Sequence, residues 1–249
     1  MKRLLQSLVA LGLLAIVVGV AGSVFAQSTP DSGTPPADSE STTSATLQPG
    51  EITAGQIADR IAAAWPAVTS YRIVTTVVSS NGTPSPSPVV ELPAASEQEV
   101  VLPDTKRLVV REGGITTEIV LAGGVLSKRV TSADGTPGPW ETIDPATVDE
   151  NDPFAVTYET ILAPEQPPYS GLSDRQRDRI GTTIGVTEIN GRTCTGYLFP
   201  EVTETGERFE VFIFLDESDL PCRIETHTLA VSQADFYFNE PITIATPAA

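Results

Sequence analysis

The chain holds one histidine, His227, and two cysteines, Cys194 and Cys222, and these set the limits on its chemistry. A histidine-based nucleophilic triad would have to use His227. Its setting is Arg223-Ile224-Glu225-Thr226-His227-Thr228, which alternates, so His227 shares a polar strand face with Arg223 and Glu225. No G-x-S-x-G elbow accompanies it, and an exposed strand histidine is the expectation. A structural zinc site wants about four Cys or His ligands, more than the chain possesses. Hard oxygen ligands occur at 149–152 and at Asp216, Glu217 and Asp219, but neither set follows the EF-hand order, and an acidic turn accounts for each. Arg175, Arg177 and Arg179 make a basic spot, with Arg175 and Arg179 on one face of an expected helix. They suit a phosphate or carboxylate, and equally the surrounding acidic charge. No glycine-rich phosphate loop links a strand to a helix. The expectation is a protein without catalytic residues, metal or cofactor.

The chemical groups belong to a chain of 249 residues, enough for one domain or two small ones. With 15 Lys and Arg against 32 Asp and Glu, the net charge is −17. That opposes nucleic acid, whose binding rests on cationic contacts to phosphate, and opposes adsorption to a surface of anionic lipid headgroups. Lys2 and Arg3 precede an apolar run at 8–21, and Val24-Phe25-Ala26 offers small residues before Gln27. Residues 1–26 therefore read as a secretory signal peptide. The competing reading is an uncleaved anchor at 4–26, through which any lasting membrane contact would run. Either way the domain is expected outside the cytoplasm: secreted, periplasmic or on the cell surface. Residues 27–50 are rich in Ser, Thr, Pro and Asp and read as a flexible linker. Two cysteines in an exported chain favour one disulfide. Against it, cysteines on strands that flank a third lie about 10 Å apart, and a disulfide needs alpha carbons within about 7 Å. The turn at 216–221 would have to fold Cys222 across.

The elements that must position these groups follow from periodicity. Ile57, Ile61, Ala64 and Trp65 share a helical face within 51–65, with Thr53 as N-cap, Gln56 as its capping-box partner and Pro66 as terminator. Residues 71–80 are β-branched and read as a strand; Asn81-Gly82 and three prolines make a loop. Strands are expected at 99–102, 107–112, 115–121 and 125–130, separated by Pro103-Asp104, Gly113-Gly114 and Gly123-Gly124. Leu108 and Val110 fall on one face, and Arg107, Val109 and Arg111 on the other, as in an antiparallel meander with a drier and a wetter side. A short strand follows at 140–143. Helical spacing at 154–162 gathers Phe154, Tyr158, Ile161 and Leu162; Asp152 is a candidate cap. A short polar helix is expected at 173–180. Closing strands run from about 183 to the end, with a last edge at 242–244. Phe212-Ile213-Phe214-Leu215 points large side chains to both faces of its strand. A sheet wrapped around helices either packs solid or leaves a cavity for an apolar ligand.

In this order the parts resemble the superfamily of LolA and LolB lipoprotein carriers, LppX-type lipid-binding lipoproteins and RseB-type sensor domains. The pieces that carry the resemblance are the helix at 57–65 leading into 71–80, Pro103-Asp104 before Arg107, and Gly123-Gly124 ahead of a strand. They continue with Asn190-Gly191 to Tyr197, the turn from Leu215-Asp216 to Leu220-Pro221, and Asp235-Phe236-Tyr237-Phe238 before Pro241-Ile242. Two features depart from the pattern: there is no lipobox cysteine as in LolB- and LppX-type members, and the long acidic form differs from LolA. The resemblance implies an α+β fold over 51–249: a strongly curved antiparallel sheet, or half-barrel, with helices covering its concave face. It implies an exported, non-enzymatic carrier of a lipid, lipoprotein acyl chain or other apolar ligand. The alternative it implies is an envelope sensor or scaffold that binds a protein partner. Ile57, Ile61, Trp65, Trp140, Tyr158, Phe212 and Phe214 are the expected cavity-lining side chains.

Overall fold

The computed structural model describes residues 47–78, 96–148, 152, 154–202, 206, 208–228 and 231–247. The expected signal segment, most of the linker, the Asn81-Gly82 loop and 149–151 lie outside these residues.

The first element differs from expectation by one addition. Glu51–Thr53 forms a short strand, β1, and helix α1 runs Ala54–Ala64. Thr53 closes a reciprocal capping box with Gln56, as its spacing predicts. A short 3-10 turn, Trp65–Ala67, takes up Pro66 at its start. Strands β2 (Ser70–Val78), β3 (Ser96–Val101), β4 (Thr105–Glu112), β5 (Ile115–Ala122), β6 (Val125–Thr131) and β7 (Glu141–Ile143) then form a meander. Gly113, Gly114, Gly123 and Gly124 all take positive φ, so the two double-glycine pairs make the hairpin turns that need it.

Helix α2 spans Ala155–Leu162. The Phe154 amide donates to Asp152 Oδ1 at 2.7 Å, so Asp152 serves the helix start. Leu162 is exposed, against expectation; Phe154, Tyr158 and Ile161 alone face the sheet. The polar helix at 173–180 shrinks to one turn, α3 (Asp174–Arg177), because Ile180 already begins strand β8 (Ile180–Ile189). Strands β9 (Arg192–Val202), β10 (Arg208–Leu215), β11 (Pro221–His227) and β12 (Val231–Phe238) complete the chain. No strand forms at 242–244.

All strand pairs are antiparallel, in one open sheet of twelve strands ordered β1-β8-β9-β10-β11-β12-β2-β3-β4-β5-β6-β7. The last strand is therefore not an edge. It lies in the middle, where β12 joins the meander β2–β7 to the meander β8–β12 over eight residue pairs. The architecture is the α+β half-barrel, with α1 and α2 on one face.

Register assigns every side chain to a face. The helix-bearing, inner face carries Phe199, Tyr197, Ile213, Ile224, Ala234, Phe236, Ile73, Val100, Leu108, Ile119, Leu121 and Leu126. Helix α1 packs Ile57 and Ile61, both at 0 % exposure, against Tyr197, Phe199, Ile213 and Leu215. Each such isoleucine contributes roughly 2–3 kcal/mol by burial. Helix α2 packs Tyr158 and Ile161 on Leu108, Ile119, Leu121 and Leu126.

The outer face carries cross-linking ion pairs among apolar side chains that include Val109, Val120 and Phe212. Arg107 bonds Glu99 at 2.8 Å and Glu118 at 2.6 Å, and Glu118 also meets Arg129. Arg223 bonds Asp235 at 2.7 Å. The expected division between Leu108 and Val110 on one side and Arg107 and Arg111 on the other is thus the division between the two faces.

Candidate functional site

The two cysteines form a disulfide, Cys194–Cys222, with alpha carbons 6.5 Å apart. They do sit on strands that flank a third, β10. Leu215, the last residue of β10, pairs with Thr195, so Cys194 lies just past the end of the intervening strand. A register shift then sets Leu215 opposite Pro221 and Phe214 opposite Arg223, leaving Cys222 as the extra residue. The turn that draws the strands together is built by Asp216, whose Oδ1 accepts from the amides of Ser218 and Leu220. Asp219 takes φ 63° there and pairs with Arg60 of α1. The acidic cluster is thereby a turn tied to a helix, and no group of three or more potential metal ligands occurs among the described residues.

His227 lies on the outer face as expected, its Nε2 3.0 Å from Glu225 and its ring 4.5 Å from that of Phe212. The arginine spot disperses. Arg177 pairs with Asp59 at 2.7 Å, Arg179 with Glu201, and Arg175 stays exposed. Arg175 and Arg179 share no helix face, because Arg179 lies beyond α3.

The seven expected cavity residues divide. Ile57, Ile61, Trp65 and Tyr158 lie on the inner side of the sheet. Trp65 packs its ring 5.4 Å from Tyr71 and 6.2 Å from Phe238. Phe212 and Phe214 lie on the opposite face, because β10 alternates and Ile213 takes the inner position. Phe214 packs beside the disulfide and Ile189. Trp140 stacks on the Arg129 guanidinium at 4.5 Å, and Arg129 belongs to the outer face. The sequence places large side chains on both faces of β10; the helices decide which face is interior.

The inner face is not apolar throughout. One row across the sheet reads Phe238, Tyr71, Val100, Lys106, Leu121, Leu126 and Ile143. Lys106 is 3 % exposed. Its ammonium lies 2.5 Å from Glu165, a residue of the connector between α2 and α3, and also meets the Ala163 carbonyl at the end of α2. The Tyr71 hydroxyl donates to the same Glu165 carboxylate. Burial, reinforced by the charge of Glu165, pushes the Tyr71 phenol far above its ordinary value. Sequence reasoning missed this triad. A signal for it existed: the alternation that turns Leu108 and Val110 inward also turns Lys106 inward. Nearby, burial pushes the Tyr169 phenol up to about 12 although Arg179 opposes the shift.

A second feature lies at the far side of the sheet. A pocket of 290 Å³ is lined by Ile184, Val186, Ile189, Phe214 and Arg223. Strand β1 pairs with β8 only from Ile180 to Thr182, so β8 beyond Thr183 has no neighbouring strand on that side among the described residues. Ile184 is 47 % and Val186 67 % exposed there.

No protein-family model and no curated protein matches the sequence. Among solved structures the chain is similar to LprF from Mycobacterium bovis, with 14 % identity, 79 % of this chain and 97 % of that chain covered, and a TM-score of 0.48. It is similar to the lipoprotein LppX of Mycobacterium tuberculosis, with 12 % identity, coverage of 77 % and 98 %, and a TM-score of 0.38. It is also similar to the MucA/MucB complex of Pseudomonas aeruginosa, with 14 % identity, coverage of 76 % and 58 %, and a TM-score of 0.33. A likeness at this level assigns no ligand and no residue role.

Proposed function

We propose that the protein is an exported, non-enzymatic binding protein that holds a lipid, an acyl chain or another apolar ligand between the inner face of its sheet and the helices. One observation carries this reading: the helices bury most of the inner face but leave apolar side chains at one end of it in water, Ile115 at 46 % exposure among them. The described cover is α1 with 11 residues, α2 with 8, the single turn α3 and their connectors. Val130, on the inner face, is 41 % exposed, and Val110 and Phe238 are only half-buried. An apolar ligand laid on this face is stabilised by roughly 25 cal/mol per Å² of apolar surface removed from water, without covalent chemistry. Export through residues 1–26 and the Cys194–Cys222 disulfide support a site outside the cytoplasm. Of the expected lining, half-buried Trp65 remains proposed; Ile57, Ile61 and Tyr158 are packed inside the core, and Phe212, Phe214 and Trp140 lie off the inner face. Binding of an uncharged fluorescent acyl ester tests the reading, and a chain that enhances no fluorescence contradicts it.

A second reading, an envelope sensor or scaffold that meets a protein partner, is favoured by the unpaired, apolar edge of β8. An edge of this kind accepts an added strand from a partner. Val186→Lys would abolish such pairing, with loss of complex in cross-linking as the readout; capture that survives the substitution contradicts it.

A further inference from the structure

The inner face contains a buried ion pair where packing does not need one. Lys106 lies between two apolar clusters, one built on Tyr71, Val100 and Phe236 and the other on Leu108, Ile119 and Leu121. A buried Lys–Glu pair contributes little net stability, since desolvation offsets its attraction and an apolar pair of the same volume does as well. The triad is also asymmetric in its anchorage. Lys106 and Tyr71 stand on β4 and β2 in the body of the sheet. Glu165 stands on the connector 163–173, where it is flanked by Pro164 and followed by Pro167 and Pro168. Among the described residues, the backbone of 164–168 makes no backbone hydrogen bond to any strand. That part of the connector is held by the Lys106 bonds to Glu165 and Ala163 and the Tyr71 bond to Glu165. Segments so held open at low cost.

From this arrangement we infer that Lys106 and Tyr71 are the headgroup subsite for a carboxylate-bearing single-chain amphiphile, and that Glu165 occupies it as an internal stand-in for the ligand carboxylate. The ammonium and the phenol hydroxyl point at one carboxylate and supply charge-assisted donors to it. The flanking clusters, now packed under Trp65 and helix α2, become the apolar bed for a ligand's chain when this cover shifts with the connector. A ligand carboxylate takes over both donors, and Glu165 leaves with 164–168 for water, while Tyr169, buried in the α1 cluster, holds the rest of the connector in place. Binding and release of the connector are then one event. The chemistry favours carboxylic acids over their neutral esters, because an ester leaves the Lys106–Glu165 pair in place. The inference rests on the apolar-ligand reading above and adds the ligand's charged end to it.

The test uses the full chain and two probes, 11-(dansylamino)undecanoic acid and its methyl ester, titrated by fluorescence against wild type, Glu165→Gln and Tyr71→Phe. In Glu165→Gln the introduced amide keeps hydrogen-bonding capacity toward both partners but no longer competes as an anion. The expected result is that Glu165→Gln raises the ratio of acid to ester affinity by about tenfold. Tyr71→Phe, which deletes one donor and no charge, lowers it. A double variant, Lys106→Met with Glu165→Gln, removes both charges together and is expected to bring the ratio to about one; circular dichroism monitors its fold. If acid and ester bind equally well in wild type and in Glu165→Gln, the headgroup subsite is overturned while the apolar-ligand reading stands. If neither probe binds any form, the apolar-ligand reading fails and this inference fails with it.

Discussion

At the residue scale the acidic side chains have distinct assignments. Glu118 sits on the outer face between Arg107 and Arg129. Its burial alone would raise its pKa, but hydrogen bonds and charge from the two arginines overcome this and hold it below the ordinary carboxylate value. A depressed folded-state value means that the ionised side chain stabilises the fold above the unfolded pKa, about 4.3. The contribution is lost as pH falls through the folded value. Glu118→Gln is therefore expected to cost about 1–3 kcal/mol at pH 7, with the difference from wild type shrinking below about pH 4. Urea unfolding at pH 7 and pH 3 checks this, and a pH-independent difference contradicts it. Lys106 behaves differently. Lys106→Met lets Glu165 leave with its connector for water, so the loss by urea denaturation is expected to fall below the about 3–5 kcal/mol of a charge that stays buried, and adding Glu165→Gln to it is expected to change little.

At the element scale the caps and close approaches decide. Thr53→Ala removes one half of the capping box on α1 and is expected to lower stability by about 1 kcal/mol in thermal unfolding. Gly181 lets β8 pass over Phe199: a Cβ there would stand 2.5 Å from that ring and 2.7 Å from the Leu198 carbonyl, with backbone on one side. Gly181→Ala is expected to destabilise by about 1–3 kcal/mol, read from the urea midpoint. The disulfide closes a loop of sequence separation 28. Replacing both cysteines by alanine is expected to cost about 3–4 kcal/mol in the chain-entropy model. Most elements were legible in sequence because their signals are local: the Thr53/Gln56 spacing, the double glycines, the alternation in 107–111. The misses come from longer range. β1 exists only because β8 lies beside it, and α3 stops early because Ile180 is taken by the sheet. Ile242 and Ile244 have no strand partner among the described residues, since β12 is already paired on both sides.

At the scale of the whole molecule, the sheet's two faces carry different tasks. The outer face carries ion pairs such as Arg107–Glu118 beside apolar side chains such as Phe212 and Phe214, and the inner face carries the packed core, with Ile115 and Val130 left exposed at one end. That assignment was only half legible. Alternation reveals that β10 has two apolar sides, yet it takes the position of α1 to show that Ile213 faces in while Phe212 and Phe214 face out. The same holds for Trp140, whose aromatic ring is spent on Arg129. The Lys106–Tyr71–Glu165 triad was hidden for a related reason: Glu165 is far from Lys106 in sequence, and no periodicity connects a connector to a strand. The central claim is that the inner face holds an apolar ligand. The most direct measurement is native mass spectrometry of the purified chain, paired with organic extraction and identification of what is released. The account predicts a mass excess over the polypeptide that is lost on extraction and restored by incubation with a long-chain carboxylic acid. A chain that carries no excess mass, and takes up none when offered such acids or their esters, contradicts it.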